Sequence, residues 1–521
     1  MNKGLKIKIF LLYLFLGLFS TNGFPLPENV GLHEGKKKIE EQSLSEKIKQ
    51  DVNLKLNLER LINLILKQNL DVKKALLDYK SSKNELLRYQ GRFDSVFFLN
   101  PVYSVIENSS DDPSSSFRGT ETREYNVDVG LSRQFRTGTG LQISINSKYQ
   151  NIMGANMGLL DLGGKGYQSG LLFSISQEIL KNTFGISHRL NEKITKNRGR
   201  MQKRVVKMYL ANLLVEALIG YWTVLVAEDN LKTIKVSLES TIKIKKLIKK
   251  KLSLGLSEKE ELLDWNSKVL QSRNAFTAAK KKLFDARQAI IRTLNLDEGT
   301  TFDLEKIFIT MPSKITFEHA LKDAFLKRID LANQRTLLEN SKIEREIAFH
   351  NMEPSLKLDL SVGTADYSDE GYSKTFNDLN RKWSLGFELS YPFGNKEAEA
   401  KMSNSVINFK KNYIELKRLE RVIRDEVESR VMHCDVMYSI YQKIQKSREY
   451  SKRYYEQVFR KFKQGRYNAL QLKLALDGYI NMSLQELKGL VDYNISILKR
   501  DLSRNVIFEK YGINVDSILN N

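Results

Sequence analysis

The chain is poor in cysteine. Cys434 is the only one in 521 residues. That excludes an intramolecular disulfide and, with no cysteine behind the N-terminal leader, lipid attachment there; it leaves an oxidising compartment open. Proline is scarce as well, 7 in all, which favours long uninterrupted elements. The five histidines, His33, His188, His319, His350 and His433, are scattered without metal-ligand spacing. His433, Cys434 and Asp435 adjoin, but neighbours on a helix point about 100° apart, so they make no single site. The Gly-rich stretch at Gly163 lacks the distal glycine and the Ser/Thr of a phosphate loop, and reads as a loop apex. No Ser/His/Asp order or paired carboxylates are evident, so the expectation is no enzyme and no cofactor. Acid is in deficit: 84 Lys+Arg against 62 Asp+Glu give a net charge of +22. Such a balance invites nucleic acid. Here acids and bases interleave, as in Lys243 to Lys251 followed by Glu258, Glu260 and Glu261. That pattern reads as solvated helix faces, with no nucleic-acid partner.

The apolar run near the N-terminus, Ile9–Phe19, is too short to span a bilayer. With Lys3, Lys6 and Lys8 before it and Thr21 and Gly23 at −3 and −1 of a cleavage site, residues 1–23 read as an export signal. The alternative is an N-terminal anchor; either takes the chain out of the cytoplasm. Residues 24–55 read as a polar arm. Leu56–Gln90 then reads as one helix.

From Phe93 the period changes to two. Tyr125, Val127, Val129 and Leu131 share one face, with Asn126, Asp128, Gly130 and Ser132 on the other. Leu141, Ile143 and Ile145 alternate likewise, and Thr137 to Gly140 between them is a hairpin signal. With the apolar run at Val96–Glu107 and the run holding Leu171, Phe173 and Ile175, four strands are expected between 96 and 179. Each is about 10 residues, the length of a tilted membrane strand. Alternation alone fits a soluble sandwich equally well. The export signal, and Tyr103, Tyr125, Phe135, Tyr149 and Tyr167 near the run ends, favour a membrane barrel.

Next comes a helical hairpin over 186–296. Its first arm, Asn191 to Leu252, holds no proline and is about 60 residues, or roughly 90 Å of helix. Val224, Ala227, Leu231, Ile234 and Leu238 step 3-4-3-4, a narrow seam that Lys245 interrupts and Ile248 and Leu252 recover. After Asn295 the chain repeats itself. Leu58-Glu59, Leu61-Ile62 and Leu70-Asp71-Val72 return as Phe317-Glu318, Ala320-Leu321 and Ile329-Asp330-Leu331. Two alternating runs follow within 355–393, then a second hairpin over 395–505. Gly255 and Gly465 mark the two turns, each behind a basic stretch, as C-terminal caps favour. The organisation is a first repeat at 56–305, a second at 306–514 and a tail at 515–521.

With that order on the page, the chain resembles the TolC-type outer membrane efflux proteins over nearly all its length past the leader. Leu56–Val72 and Ile315–Leu331 look like the motif opening each half. Ser176–Ile179 and Ser390–Lys401 look like the strand-to-helix exits. The stretches around Gly255 and Gly465 look like the hairpin tips. The resemblance implies a mainly α chain with membrane β: long antiparallel hairpins forming an α-barrel, and a transmembrane β-barrel shared by a homotrimer. It implies a passive exit duct for efflux or type I secretion in the outer membrane lipid, reaching into the periplasm. Partners would be a periplasmic adaptor and an inner-membrane pump. A soluble helical scaffold is the alternative, and no residue names the cargo. Two departures stand out. The family supplies two strands per half; three copies would then give twelve, the expectation carried forward, or eighteen if the extra hairpin joins the wall. At the second tip the family carries aspartates where this chain has Gln471 and Leu474. Any carboxylate ring at the mouth must therefore come from Glu258, Glu261 or Asp264, unless these are only helix N-terminal acids. Opening is expected as a rigid shift of one helix pair about the two turns.

Overall fold

A computed structural model of the protein describes residues 54–112, 114–157, 160–297, 299–375 and 380–520. The leader at 1–23 and nearly all of the arm at 24–55 lie outside the described residues. The first half holds β1 (Leu54–Leu56), α1 (Leu58–Gln68), α2 (Leu70–Gln90), β2 (Val96–Glu107), β3 (Glu121–Gln134), β4 (Thr139–Met153), β5 (Gly164–Glu178), α3 (Ile186–Ser253) and α4 (Lys259–Leu294). The second holds β6 (Phe302–Leu304), α5 (Phe317–Lys327), α6 (Ile329–His350), β7 (Ser355–Ser368), β8 (Asn380–Ser390), α7 (Lys396–Lys463) and α8 (Ala469–Ser503).

The single helix read from Leu56 to Gln90 is corrected to a strand and two helices. Asn69 makes the break. Its N–H closes α1 on the Ile65 carbonyl, and its Oδ1 accepts from the N–H groups of Asp71 (2.8 Å) and Val72 (3.0 Å), capping α2. Its Nδ2 donates to the Thr293 carbonyl (2.7 Å), tying the break to α4. The repeat reproduces the device. Asn57 caps α1 through Arg60 N–H and Thr316 caps α5 through His319 N–H, and Arg328 stands where Asn69 does. Leu56 sits in β1, which pairs in parallel with β6.

The long arms α3 and α7 are each 68 residues, roughly 100 Å. The described segment Thr183–Ser253 is long and apolar enough to cross a membrane, but most of its apolar window is buried within the protein. Leu210, Leu214, Leu218, Tyr221 and Leu225 step along that stretch into the main core, against α1, α2, α4 and α8. The seam also survives Lys245, because Thr241 and Ile244 carry it from the half-buried Leu238 to Ile248.

The repeats are not the spatial units. Residues 85–196 and 340–409 form one compact unit, holding strands β2 to β5 of the first half and β7 and β8 of the second; residues 54–84, 197–339 and 410–520 form the other, with β1 and β6. In the second unit the irregular link between repeats is strapped by side chains. Tyr221 Oη donates to the carbonyls of Leu56 (3.2 Å) and Glu305 (2.5 Å), and burial pushes its pKa up to about 12. Asn494 grips both polar groups of the Ile309 backbone (2.8 and 3.1 Å), and Tyr493 Oη donates to the Met311 carbonyl (2.8 Å). A segment without secondary structure of its own thus has several of its backbone polar groups satisfied by side chains.

Residues 515–520, read as tail, form a seated helix, α9 (Val515–Asn520), with Val515 and Leu519 in the core. Asp516 pairs with Lys203 and Lys207, each at 2.8 Å. Hydrogen bonds from these two lysines draw its pKa down to about 2 from 3.8. A lowered carboxylate pKa adds stability that is complete above about pH 4 and is lost as pH falls through about 2. The side chain is 54% exposed, so the effect is small and screened by salt. Hydrogen exchange should show α9 losing protection between about pH 4 and pH 2 while α8 keeps it, with partial loss in high salt at neutral pH. The interior pair behaves differently. Asp501, 4% exposed, accepts from Arg500 (3.1 Å), Arg504 (3.4 Å) and Lys510 (2.7 Å), and Arg504 also pairs with Asp323. Asp501→Ala strands buried cations, and thermal unfolding should report a loss of about 3–5 kcal/mol. Glu397→Ala, at an exposed i,i+4 pair, should leave the unfolding midpoint unchanged.

Candidate functional site

Six strands form one antiparallel sheet in the order β8-β7-β5-β4-β3-β2. The four strands expected in the first half and the two expected in the second are all present, so the first half carries one hairpin more than the two strands the resemblance implies. The extra hairpin, β3–β4, lies inside the sheet. The reason is register: β3 pairs with β2 from Glu121 to Ser132 and with β4 from Glu121 to Gln134, so its apolar residues fall beside theirs.

One face is apolar from edge to edge. Phe97, Leu99 and Tyr103 of β2 lie beside Leu131, Val129 and Tyr125 of β3; Ile143 and Ile145 continue to Phe173 and Leu171. Leu358, Leu360 and Val362 of β7 stand beside Phe387, Leu385 and Trp383 of β8. Among the described residues nothing covers this face: Trp383 is 75% exposed and Phe387 68%. Beyond a row of tyrosines the strands turn polar. Ring centroids step Tyr103–Tyr125 (4.5 Å), Tyr125–Tyr149 (5.9 Å), Tyr149–Tyr167 (5.0 Å) and Tyr167–Tyr372 (5.0 Å), a belt across β2 to β5 that ends on the loop after β7. Four of the five tyrosines were readable as run ends; Tyr372 lies in a loop and carried no such signal.

The opposite face is mostly hydrophilic. Asn146 bonds Asn126 (2.8 Å), Ser361 bonds Ser384 (2.6 Å), and Lys357 pairs with Asp359 (2.9 Å). Strand β2 departs from this, with Val96, Phe98, Val102 and Ile106 on its second face. Phe98 lies over Gly130, where a Cβ would stand 2.7 Å from its ring.

The two helical tips are built alike. Gly255 (φ +72) and Gly465 (φ +77) end α3 and α7 in left-handed backbone. Around Gly255, the Leu256 N–H reaches the Lys251 carbonyl (2.8 Å); around Gly465, the Arg466 N–H reaches that of Lys461 (2.9 Å). Ile244 and Ile248 of α3, Trp265 of α4, Phe462 of α7 and Leu472 and Leu476 of α8 share one buried cluster just inside the tips. The sequence-picked residues are placed as follows. Glu258 is the exposed N-cap residue of α4 and makes no cap hydrogen bond. Glu261 accepts from Ser257 Oγ. Asp264 is taken by Lys473 (2.7 and 2.9 Å). Gln471 is spent in a capping box with Asn468, and Leu474 is 65% exposed. Sequence reasoning missed the second half of a reciprocal clasp, Lys268–Asp477 (2.6 Å). Its signal was there: Asp264 and Lys268 on α4 face Lys473 and Asp477 on α8, opposite-sign i,i+4 pairs at similar distances from their caps. Among the described residues no group of His, Cys, Asp or Glu could hold a metal ion.

No family model and no curated relative matches the chain. Solved structures do. The CmeC outer membrane channel of Campylobacter jejuni aligns at TM-score 0.63 and 16% identity, over 89% of this chain and 89% of that one. VceC, an outer membrane protein of Vibrio cholerae, gives 0.65 and 11% over 86% and 96%. The open MtrE outer membrane channel of Neisseria gonorrhoeae gives 0.61 and 15% over 86% and 89%. The fold is therefore TolC-like, as the duplicated motif order led one to expect.

A Cβ at Gly465 meets nothing within 4 Å, so replacement there costs only backbone strain. Thermal unfolding of Gly465→Ala should show a loss of about 1–2 kcal/mol, with Gly465→Asn much closer to wild type.

Proposed function

We propose that the protein is a passive exit duct of the outer membrane. Three copies share a β-barrel, the helical hairpins form a tunnel in the periplasm, and the tips meet a periplasmic adaptor and an inner-membrane pump that supplies the energy. One observation carries this reading: an uncovered sheet face, apolar from edge to edge and bounded by a tyrosine belt, backed by a mostly polar face. Burying such a face in water would require a second sheet, and the high exposure of Trp383, Leu385, Phe387 and Leu389 leaves the sandwich reading without one. Lipid suits it, with tyrosine at the headgroup level and the polar face lining a bore. CmeC and MtrE, which share the fold, are outer membrane channels.

The shared core of the tips bears on opening. Sliding one hairpin past the other within a chain would uncover Trp265 and Leu472, each fully buried, at about 1.5–3 kcal/mol per side chain. The clasp itself contributes little, about 0.2–1 kcal/mol for each exposed pair. We therefore place the movable joint between copies, with each four-helix tip moving as one body, in place of the single-hairpin shift the sequence suggested. For the mouth, Glu258, Glu261 and Asp264 remain the acidic candidates, Glu261 accepting from Ser257 and Asp264 being neutralised by Lys473.

Two measurements test this. The purified protein should run as a heat-modifiable trimer and give stepwise conductance in planar bilayers. A detergent-free monomer without conductance would leave only the scaffold reading. Lys473→Ala frees the Asp264 carboxylate and should raise cation over anion permeability, while Asp264→Asn in the same background should reverse the gain. Unchanged selectivity in both would remove Asp264 from the mouth.

A further inference from the structure

The sheet ends in two unpaired edges, β2 and β8, of 12 and 11 residues. Lipid offers no partner for their backbone N–H and C=O groups, so edges bordering an apolar face of this extent need pairing with protein. Nothing in the described residues of the same chain pairs them. The two edges suit each other. Six alternating antiparallel strands make β2 and β8 run in opposite senses, so β8 of one copy against β2 of the next continues the antiparallel order. Their lengths match to one residue, and both present apolar side chains to the same face: Phe97, Leu99 and Tyr103 on β2, Trp383, Leu385 and Phe387 on β8. Pro101 in β2 removes a single backbone donor, which an outer strand tolerates. This pairing is head-to-tail, and it closes only as a ring.

We propose that the partner of each edge is a second copy of this chain, and that three copies close an eighteen-stranded barrel with the β3–β4 hairpin as part of its lipid-facing wall. The count of three rests on the duct reading above; the six strands per copy do not. Barrel width grows roughly in proportion to strand number, so the bore is about half as wide again as twelve strands would allow. Strands β3 and β4 carry their share of the tyrosine belt, Tyr125 and Tyr149, at the level of Tyr103 and Tyr167, which places them at the same depth as their neighbours.

The test uses single cysteines in full-length protein carrying Cys434→Ser, reconstituted in liposomes and treated with a water-soluble maleimide. On the hairpin, Asp128→Cys should label at least about tenfold faster than Val129→Cys, and on β8, Ser384→Cys faster than Leu385→Cys by a similar factor. If the β8 pair alternates while the hairpin pair labels equally, the hairpin lies outside the wall and this inference falls while the duct stands. If the β8 pair fails to alternate, the duct reading itself falls, and the eighteen-stranded barrel with it. Strand counting by electron cryo-microscopy of the wild-type trimer gives an independent answer: eighteen supports the inference, twelve overturns it.

Discussion

An apolar surface that none of the described residues covers is the constraint from which the rest follows. The sheet joins strands from both repeats and leaves one broad face unburied. In water, each large side chain on it would forgo about 1.5–3 kcal/mol of burial. A solvent of hydrocarbon removes that penalty but imposes another, because it cannot hydrogen-bond a strand edge. Lipid for the face and protein for the edges is the combination that satisfies both demands. The tyrosine belt then falls where an amphipathic ring is best solvated.

The helical unit answers a different demand. A helix of roughly 100 Å must find neighbours all along its length, and the repeat supplies them. Its turns are matched to the residue, Gly255 with Gly465 and Glu258 with Asn468, so both hairpins end together and can share Trp265, Phe462 and Leu472 in one cluster. Around the link between repeats, partly buried hydrogen bonds from Tyr221, Tyr493 and Asn494 do the work that regular structure does elsewhere. The ion network at Asp501 stabilises only as a complete set, since each buried member is neutralised by the others.

Much of this was legible in the sequence because it is periodic. The alternation at Tyr125–Leu131 fixes a strand and its faces, and the glycines at 255 and 465 fix turns that only a left-handed residue closes comfortably. The constant offset of 259 residues from Leu58 to Phe317 and from Val72 to Leu331 exposed the duplication. Non-periodic features were hidden. The break at Asn69 depends on a carbonyl more than 200 residues away, which no local pattern announces. The place of the extra hairpin depended on pairing partners, and alternation names a face without naming a neighbour. At the tips, composition marked Glu261 and Asp264 as acids but not that Ser257 and Lys473 already occupy them.

The central claim is that lipid covers the sheet, and Trp383 reports on it directly. Of the three tryptophans, Trp222 and Trp265 are buried and Trp383 alone stands out on the apolar face. In liposomes containing brominated acyl chains, the account predicts strong quenching of tryptophan fluorescence, abolished in Trp383→Phe and weak with aqueous iodide. Quenching of Trp383 by iodide but not by brominated lipid would contradict it.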